Sequence, residues 1–271
     1  SNHSSLIFFS YISFLTYLQI PTFVIQALFY WLILVVGAVS VYKLALFFYP
    51  RPQAAVLSGL FYLLNLFTQV SVINRLQYPF LFFYAFLPLG LFIFIRGLSQ
   101  RRLSDAVLFS FVSLPFSLAF SSFPFLELLW LTLFSYVCFH VFFTKTPTIK
   151  FSFGFLGLAL ATWVLFHLWW LGPLIHSTFA TAYPTSEAVT QAGNVQSFNT
   201  LSRLIGGLSS VLSLTDTSFM KSISPVWSGF YLTFPGKILA FLPALIVLSS
   251  VLFKPKPYLW KYFFSLYLIA V

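Results

Sequence analysis

Long apolar runs separated by short polar or basic breaks make up most of the chain. They lie near residues 5 to 20, 22 to 49, 53 to 71, 79 to 95, 105 to 120, 124 to 143, 151 to 175 and 237 to 253, with another beginning at 262. Several reach the roughly twenty residues that a helix needs to cross a hydrocarbon core about 30 Å thick. Within each run hydrophobicity is nearly uniform. The helical reading therefore rests on the need to satisfy every backbone N–H and C=O inside lipid, rather than on an amphipathic period. Strands of a barrel would alternate, and these runs do not. The pattern predicts an all-α fold, a polytopic transmembrane helix bundle of about eight to nine helices forming one membrane domain over residues 1–271. The first run is short and meets Pro21 at once, so a re-entrant or interfacial element is the alternative to a full span there.

The polar positions concentrate in one place. From residue 176 to 236 the chain is rich in Ser, Thr, Asn and Gln and carries Glu187 and Asp216. Inside this stretch Phe198, Leu201, Leu204, Ile205, Leu208, Val211 and Leu212 recur at helical spacing, with Asn199, Thr200, Arg203, Ser209 and Ser210 opposite them. That is the pattern of an amphipathic helix lying along a membrane interface. Trp227, Phe230, Tyr231 and Phe234 follow as an aromatic cluster of the kind that anchors at headgroup depth. The segment is expected to form an outer-side cap.

Composition turns the pattern into a statement about solvent. With 60% hydrophobic residues, 7% charged residues and 38 Phe, the chain has too little polar surface to cover a water-soluble globule. Lipid is its solvent. The formal charge of +10 does not mark a nucleic-acid partner, because the basic residues punctuate apolar runs instead of forming a polar patch. Lys43, Arg51, Arg96, Arg101, Arg102, Lys145, Lys150, Lys254, Lys256 and Lys261 fall at one set of alternate breaks, and Arg75, Arg203, Lys221 and Lys237 at the other. The richer set is expected on the cytoplasmic side. Cys138 falls inside a span and forms no intrachain disulfide, and the closing apolar run from 262 gives the expectation of a fragment of a longer chain.

Candidate chemistry is sparse. His3, His140, His167 and His176 have no carboxylate or thiol at ligand spacing, so no metal site is expected, and no cofactor is indicated. The short outer loop before Pro79 holds Asn74, Arg75, Gln77 and Tyr78 between two apolar helices. An Arg beside amides at the interface suits the phosphate of a membrane-embedded lipid, with snorkelling to headgroups as the plainer use. Arg203 carries the same pair of readings. Asp105 is expected to favour a helix N-terminus as a capping acid, and His167 to be an interface histidine. Glu127 lies about one turn into an apolar run, where an ionisable group is a functional candidate unless the outer loop hydrates it. A cap over the helices would roof a cavity bounded by Arg75, Glu127 and the Trp169–Trp170 end of its helix, which makes Trp170 a candidate substrate contact.

The run Ala55-Val56-Leu57-Ser58-Gly59-Leu60-Phe61-Tyr62-Leu63-Leu64-Asn65, then Asn74-Arg75-Leu76, then Tyr84-Ala85-Phe86-Leu87-Pro88-Leu89 with Arg96-Gly97-Leu98, resembles a pattern in the GT-C glycosyltransferase superfamily. It is most similar in kind to arabinofuranosyltransferase-like and related prokaryotic multi-pass proteins. Ser121-Ser122-Phe123-Pro124 and His167-Leu168-Trp169-Trp170-Leu171-Gly172-Pro173 fit later parts of that pattern. Leu66 stands where the pattern has Pro, and His167 where it has Asn. The resemblance implies transfer of a sugar from a polyprenyl-phosphate carrier to an acceptor on the outer face of a prokaryotic cytoplasmic membrane. It also implies a catalytic carboxylate in the first outer loop. Residues 1 to 104 hold no Asp or Glu, so that acid is expected upstream of Ser1. A lipid or polysaccharide flippase and a non-catalytic membrane scaffold are the competing readings; mid-span ionisable groups of the sort that drive ion coupling are nearly absent.

Overall fold

The computed structural model describes residues 3–65, 78–121, 123–143 and 149–180, with the single positions 68, 233, 235, 238 and 241. The described chain is helical, with no strand. After a 3-10 turn at His3–Ser5 come α1 (Leu6–Tyr17), α2 (Thr22–Phe48), α3 (Pro52–Leu64), α4 (Tyr78–Gln100), α5 (Ser104–Ser113), a 3-10 segment Leu114–Ser121, α6 (Phe123–Phe143) and α7 (Ile149–Ala180). Five segments are long and apolar enough to cross a membrane: Thr22–Phe48, Tyr78–Gln100, Ser104–Ser121, Pro124–Phe142 and Ile149–Pro173. Seven α-helices thus stand among the described residues against the eight to nine expected. The expected spans near 237 to 253 and from 262, and nearly all of the cap, lie outside them.

By backbone contacts the chain divides into two compact units, Ser1–Asn65 with Arg75–Thr178 and Leu66–Asn74 with Phe179–Val271. The first unit is centred on α4, whose apolar window is 61% buried against 22% for α2 and α7. Helices α2, α5, α6 and the 3-10 segment pack on α4, and α3 packs on α2. Outward faces are as apolar as inward ones: Phe23, Leu28, Trp31 and Leu32 of α2 are all exposed, as lipid-facing side chains must be. Helix α1 has twelve residues, about 18 Å at 1.5 Å per residue, and is too short to cross. Its Phe8 sits 5.3 Å, centroid to centroid, from each of Phe29, Tyr78 and Phe82, near the starts of α2 and α4. The alternative of a partial, non-spanning first element is the one the geometry adopts.

Prolines explain two local features. Pro88 lies inside α4 and has no N–H to give to the carbonyl of Tyr84, four residues back. The Tyr62 hydroxyl of α3 donates to that carbonyl at 2.6 Å instead. In return the Tyr84 hydroxyl donates to the Tyr62 carbonyl at 2.7 Å, close to the end of α3 where carbonyls run out of intrahelical partners. The two rings stack at 4.3 Å and 16°. Gly37 of α2 leaves room for them, since a Cβ there would lie 3.0 Å from the Tyr62 ring and 3.3 Å from that of Tyr84. Asn65 completes the end of α3, donating its amide to the carbonyls of Phe61 and Tyr62 at 3.0 and 2.7 Å.

The second proline, Pro115, falls where the span Ser104–Ser121 changes from α-helix to 3-10 helix. Leu114 N–H bonds Phe111 O, three residues back, and the 3-10 winding runs for eight residues. Runs longer than three or four are uncommon. Serines cover the carbonyls released: Ser113 donates to Ser110 O at 2.7 Å and Ser121 to Leu118 O at 2.8 Å. Ser117 reaches Ser4 O at 2.8 Å and so pins the N-terminal turn to the break.

One sequence expectation is corrected. Asp105 makes no capping bond at the start of α5; it turns back to Arg96 on α4 and accepts from Nε and Nη2, both at 2.8 Å. Pairing wins over capping because Asp105 is almost fully buried, where an unpaired carboxylate is costly and a bidentate guanidinium repays the desolvation better than backbone N–H groups do. Gly97 permits the approach. A Cβ there would come within 2.6 Å of the Asp105 Cβ and 2.7 Å of the Phe155 ring. Helix α7 continues to Ala180, past its membrane-crossing window Ile149–Pro173. Pro173 does not stop it, in keeping with the tolerance of proline in membrane helices.

Candidate functional site

Of the residues proposed from sequence as substrate contacts, Asn74, Arg75, Gln77 and Arg203 lie outside the described residues. The helices that flank the loop of Arg75 are described. They are α3 and α4, tied together by the reciprocal Tyr62–Tyr84 hydrogen bonds. Four residues of the quoted pattern, Tyr62, Asn65, Tyr84 and Pro88, therefore have a structural task within α3 and α4 and at the end of α3.

Glu127 is exposed, on the face of α6 that also carries Leu128, Leu131 and Phe134. The opposite face, with Leu129, Leu133 and Val137, is buried. Trp170 is 3% exposed and belongs to an interior group.

That interior group is the most distinctive chemical arrangement in the described chain. Trp163, His167 and Trp170 follow one another at helical spacing on α7 and face inward. His167 is fully buried; uniform hydrophobicity along α7 conceals which face turns inward. Its ring stacks on Trp163 at 4.4 Å and 17°, with Trp170 edge-on at 6.2 Å from Trp163 and 6.0 Å from His167. Phe120 of the 3-10 segment meets both Trp163 and His167, at 5.3 and 5.5 Å, and Trp130 of α6 closes on Trp163 at 5.6 Å. His167 Nδ1 lies 3.0 Å from the Trp163 carbonyl. The remaining polar atoms, Trp163 Nε1, His167 Nε2 and Trp170 Nε1, are buried without any hydrogen-bond partner. Sequence reasoning singled out Trp170 but missed Trp163, though the spacing of the three was the available signal.

Elsewhere several polar groups pair with one another, while Tyr30 Oη and Ser152 Oγ are also buried without a hydrogen-bond partner. Ser110 of α5 and Thr162 of α7 share a hydrogen bond of 2.7 Å at a close helix crossing. Arg96 adds the ring of Phe92, 5.3 Å from its guanidinium carbon, to its pairing with Asp105. Among the described residues no three His, Cys, Asp or Glu side chains come together as metal ligands would. Comparison with protein-family models, with curated proteins and with solved structures finds no match to this chain.

Proposed function

We propose that this membrane protein is a GT-C-like transferase that takes a sugar from a polyprenyl-phosphate carrier and passes it to an acceptor on the outer face of a prokaryotic cytoplasmic membrane. The observation that carries the reading is the resemblance of residues 55–65, 74–76, 84–89 and 96–98 to that superfamily. In its support, two members of the pattern, Tyr62 and Tyr84, join α3 to α4, the described helices before and after Arg75 in the chain. On this reading Arg75, with Asn74 and Gln77, receives the carrier's phosphate, and no residue of the chain is assigned as the catalytic base. Glu127, Arg203 and Trp170 remain proposed substrate contacts. A lipid flippase is the second reading, favoured by the 3-10 break in the span Ser104–Ser121, since interrupted helices line transport paths.

Arg75 gives the test. In a carrier-dependent transfer assay on the intact membrane protein, Arg75→Ala is expected to reduce transfer about ten- to a hundredfold, the worth of a charge-assisted hydrogen bond. Arg75→Lys should fall between, because it keeps a point charge and loses the bidentate fork. Equal transfer by Arg75→Ala and the unaltered protein would remove the phosphate-binding role.

A further inference from the structure

The span Ser104–Ser121 owes its length to its winding. Its 18 residues, wound wholly as α-helix, would reach about 27 Å, short of a hydrocarbon core roughly 30 Å thick. Ten residues of α-helix followed by eight of 3-10 helix, which rises about 2.0 Å per residue, reach about 31 Å instead. The 3-10 winding closes the gap. It also brings the span to the length of α6, the next helix in the chain, whose 21 residues reach about 31 Å as α-helix throughout.

Local sequence does not compel that winding. Pro115 lacks an N–H and crowds the carbonyl of Phe111, which accounts for the start of the 3-10 run but not for its continuation from Phe116 to Ser121. Those later residues include no Gly and no further Pro, and Leu118 and Ala119 are good helix formers. Tertiary contacts hold the winding. Phe116 meets Phe82 and Phe86 of α4 at 6.1 and 5.6 Å, Phe120 meets Phe86 and Trp163 at 5.5 and 5.3 Å, and the buried Ser117 hydroxyl donates to Ser4 O at 2.8 Å. Rewound as α-helix, the segment would be about 4 Å shorter and its far end turned by roughly 160°, because each residue rises about 0.5 Å less and turns about 20° less. Ser117 and Phe120 would then leave their partners.

The Ser117 bond leads to a lightly held element. In α1 only Phe8 is buried, while Leu6, Phe9, Phe14 and Tyr17 are exposed, and the N-terminal turn and α1 pack chiefly on this same 3-10 segment. We infer that Leu114–Ser121 is a length-adjusting segment: it stays 3-10 in a bilayer of full thickness and rewinds as α-helix in a thin one, releasing Ser4 and with it α1. Mismatch between the span and the local hydrocarbon supplies the bias, and the contacts of Ser117, Phe116 and Phe120 oppose it. A rigid helix answers the same mismatch by tilting, which leaves its internal length unchanged. Internal length is therefore the discriminating quantity. The device belongs to the span itself and is independent of the transferase reading.

The test uses the whole chain in a Cys138→Ser background, with nitroxide labels on Val107→Cys and Ser121→Cys, both at exposed positions of the span. A reference protein carries the labels on Phe23→Cys and Val39→Cys, exposed positions of the continuous helix α2. Double electron–electron resonance reads each distance in vesicles of dimyristoleoyl-, dioleoyl- or dierucoyl-phosphatidylcholine, from thin to thick. In the thinnest bilayer the span pair is expected to shorten by about 4 Å or more, with the α2 pair constant. Ser117→Ala cuts the tie to Ser4 and should raise the shortened fraction in dioleoyl vesicles about three- to tenfold, the worth of one ordinary hydrogen bond. Three results would overturn the device: a span distance that is the same in all three bilayers, equal shortening of both pairs, or a Ser117→Ala protein whose dependence on thickness is unaltered.

Discussion

Replacing Arg96 by leucine is expected to cost the protein about 3 kcal/mol of unfolding free energy, the scale of breaking a buried ion pair from one side. The carboxylate of Asp105 is 6% exposed and accepts two hydrogen bonds from the one guanidinium, so removal of Arg96 leaves a buried charge with no counter-ion. The remedy is equally specific. Arg96→Leu with Asp105→Leu should recover most of the loss, because two apolar side chains of similar bulk replace two desolvated charges. Unfolding in detergent micelles, followed by far-UV circular dichroism, measures both variants. A neutral Arg96→Leu, or a double variant no better than the single, would mean that the pair does not join α4 to α5.

The second large effect belongs to the Tyr62–Tyr84 contact and depends on Pro88. Tyr62→Phe removes the hydroxyl that donates to the Tyr84 carbonyl, and taking the donor from a buried carbonyl costs about 1–3 kcal/mol. Pro88→Ala restores an N–H four residues after Tyr84, which can then bond that carbonyl along the helix. In the Pro88→Ala background, Tyr62→Phe should therefore cost roughly half as much or less. Thermal unfolding of the four proteins forms a double-mutant cycle. Identical costs in both backgrounds would show that the Tyr62 hydroxyl does not stand in for the N–H that proline lacks.

The positions of the helices were legible because apolar runs end at prolines, basic pairs and polar breaks. Thr22–Phe48, Phe123–Phe143 and Ser104–Ser121 each fall within a residue or two of the run that predicts them. Rotation about each helix axis was not legible. In a chain apolar on all sides nothing in the pattern tells the lipid face from the packed face, so the burial of Trp163 and His167 on α7 was not readable from it. Asp105 was misread for a different reason: helix-end rules are local, whereas its partner lies nine residues back on another helix. The resembling residues Tyr62, Asn65, Tyr84 and Pro88 were legible as a pattern, but their purpose required knowing that α3 and α4 meet. Arg75, on which the proposed phosphate contact rests, lies outside the described residues.

A multi-pass helix bundle oriented by its basic residues must place the two ends of the span Ser104–Ser121 on opposite sides of the membrane. In a Cys138→Ser background, single cysteines replace Gln100, before the span, and Ser121, at its far end; both positions are exposed. A membrane-impermeant maleimide added to intact cells is expected to label Ser121→Cys, and to label Gln100→Cys only after the cells are permeabilised. Labelling of both from outside, or of Gln100→Cys alone, would contradict that orientation.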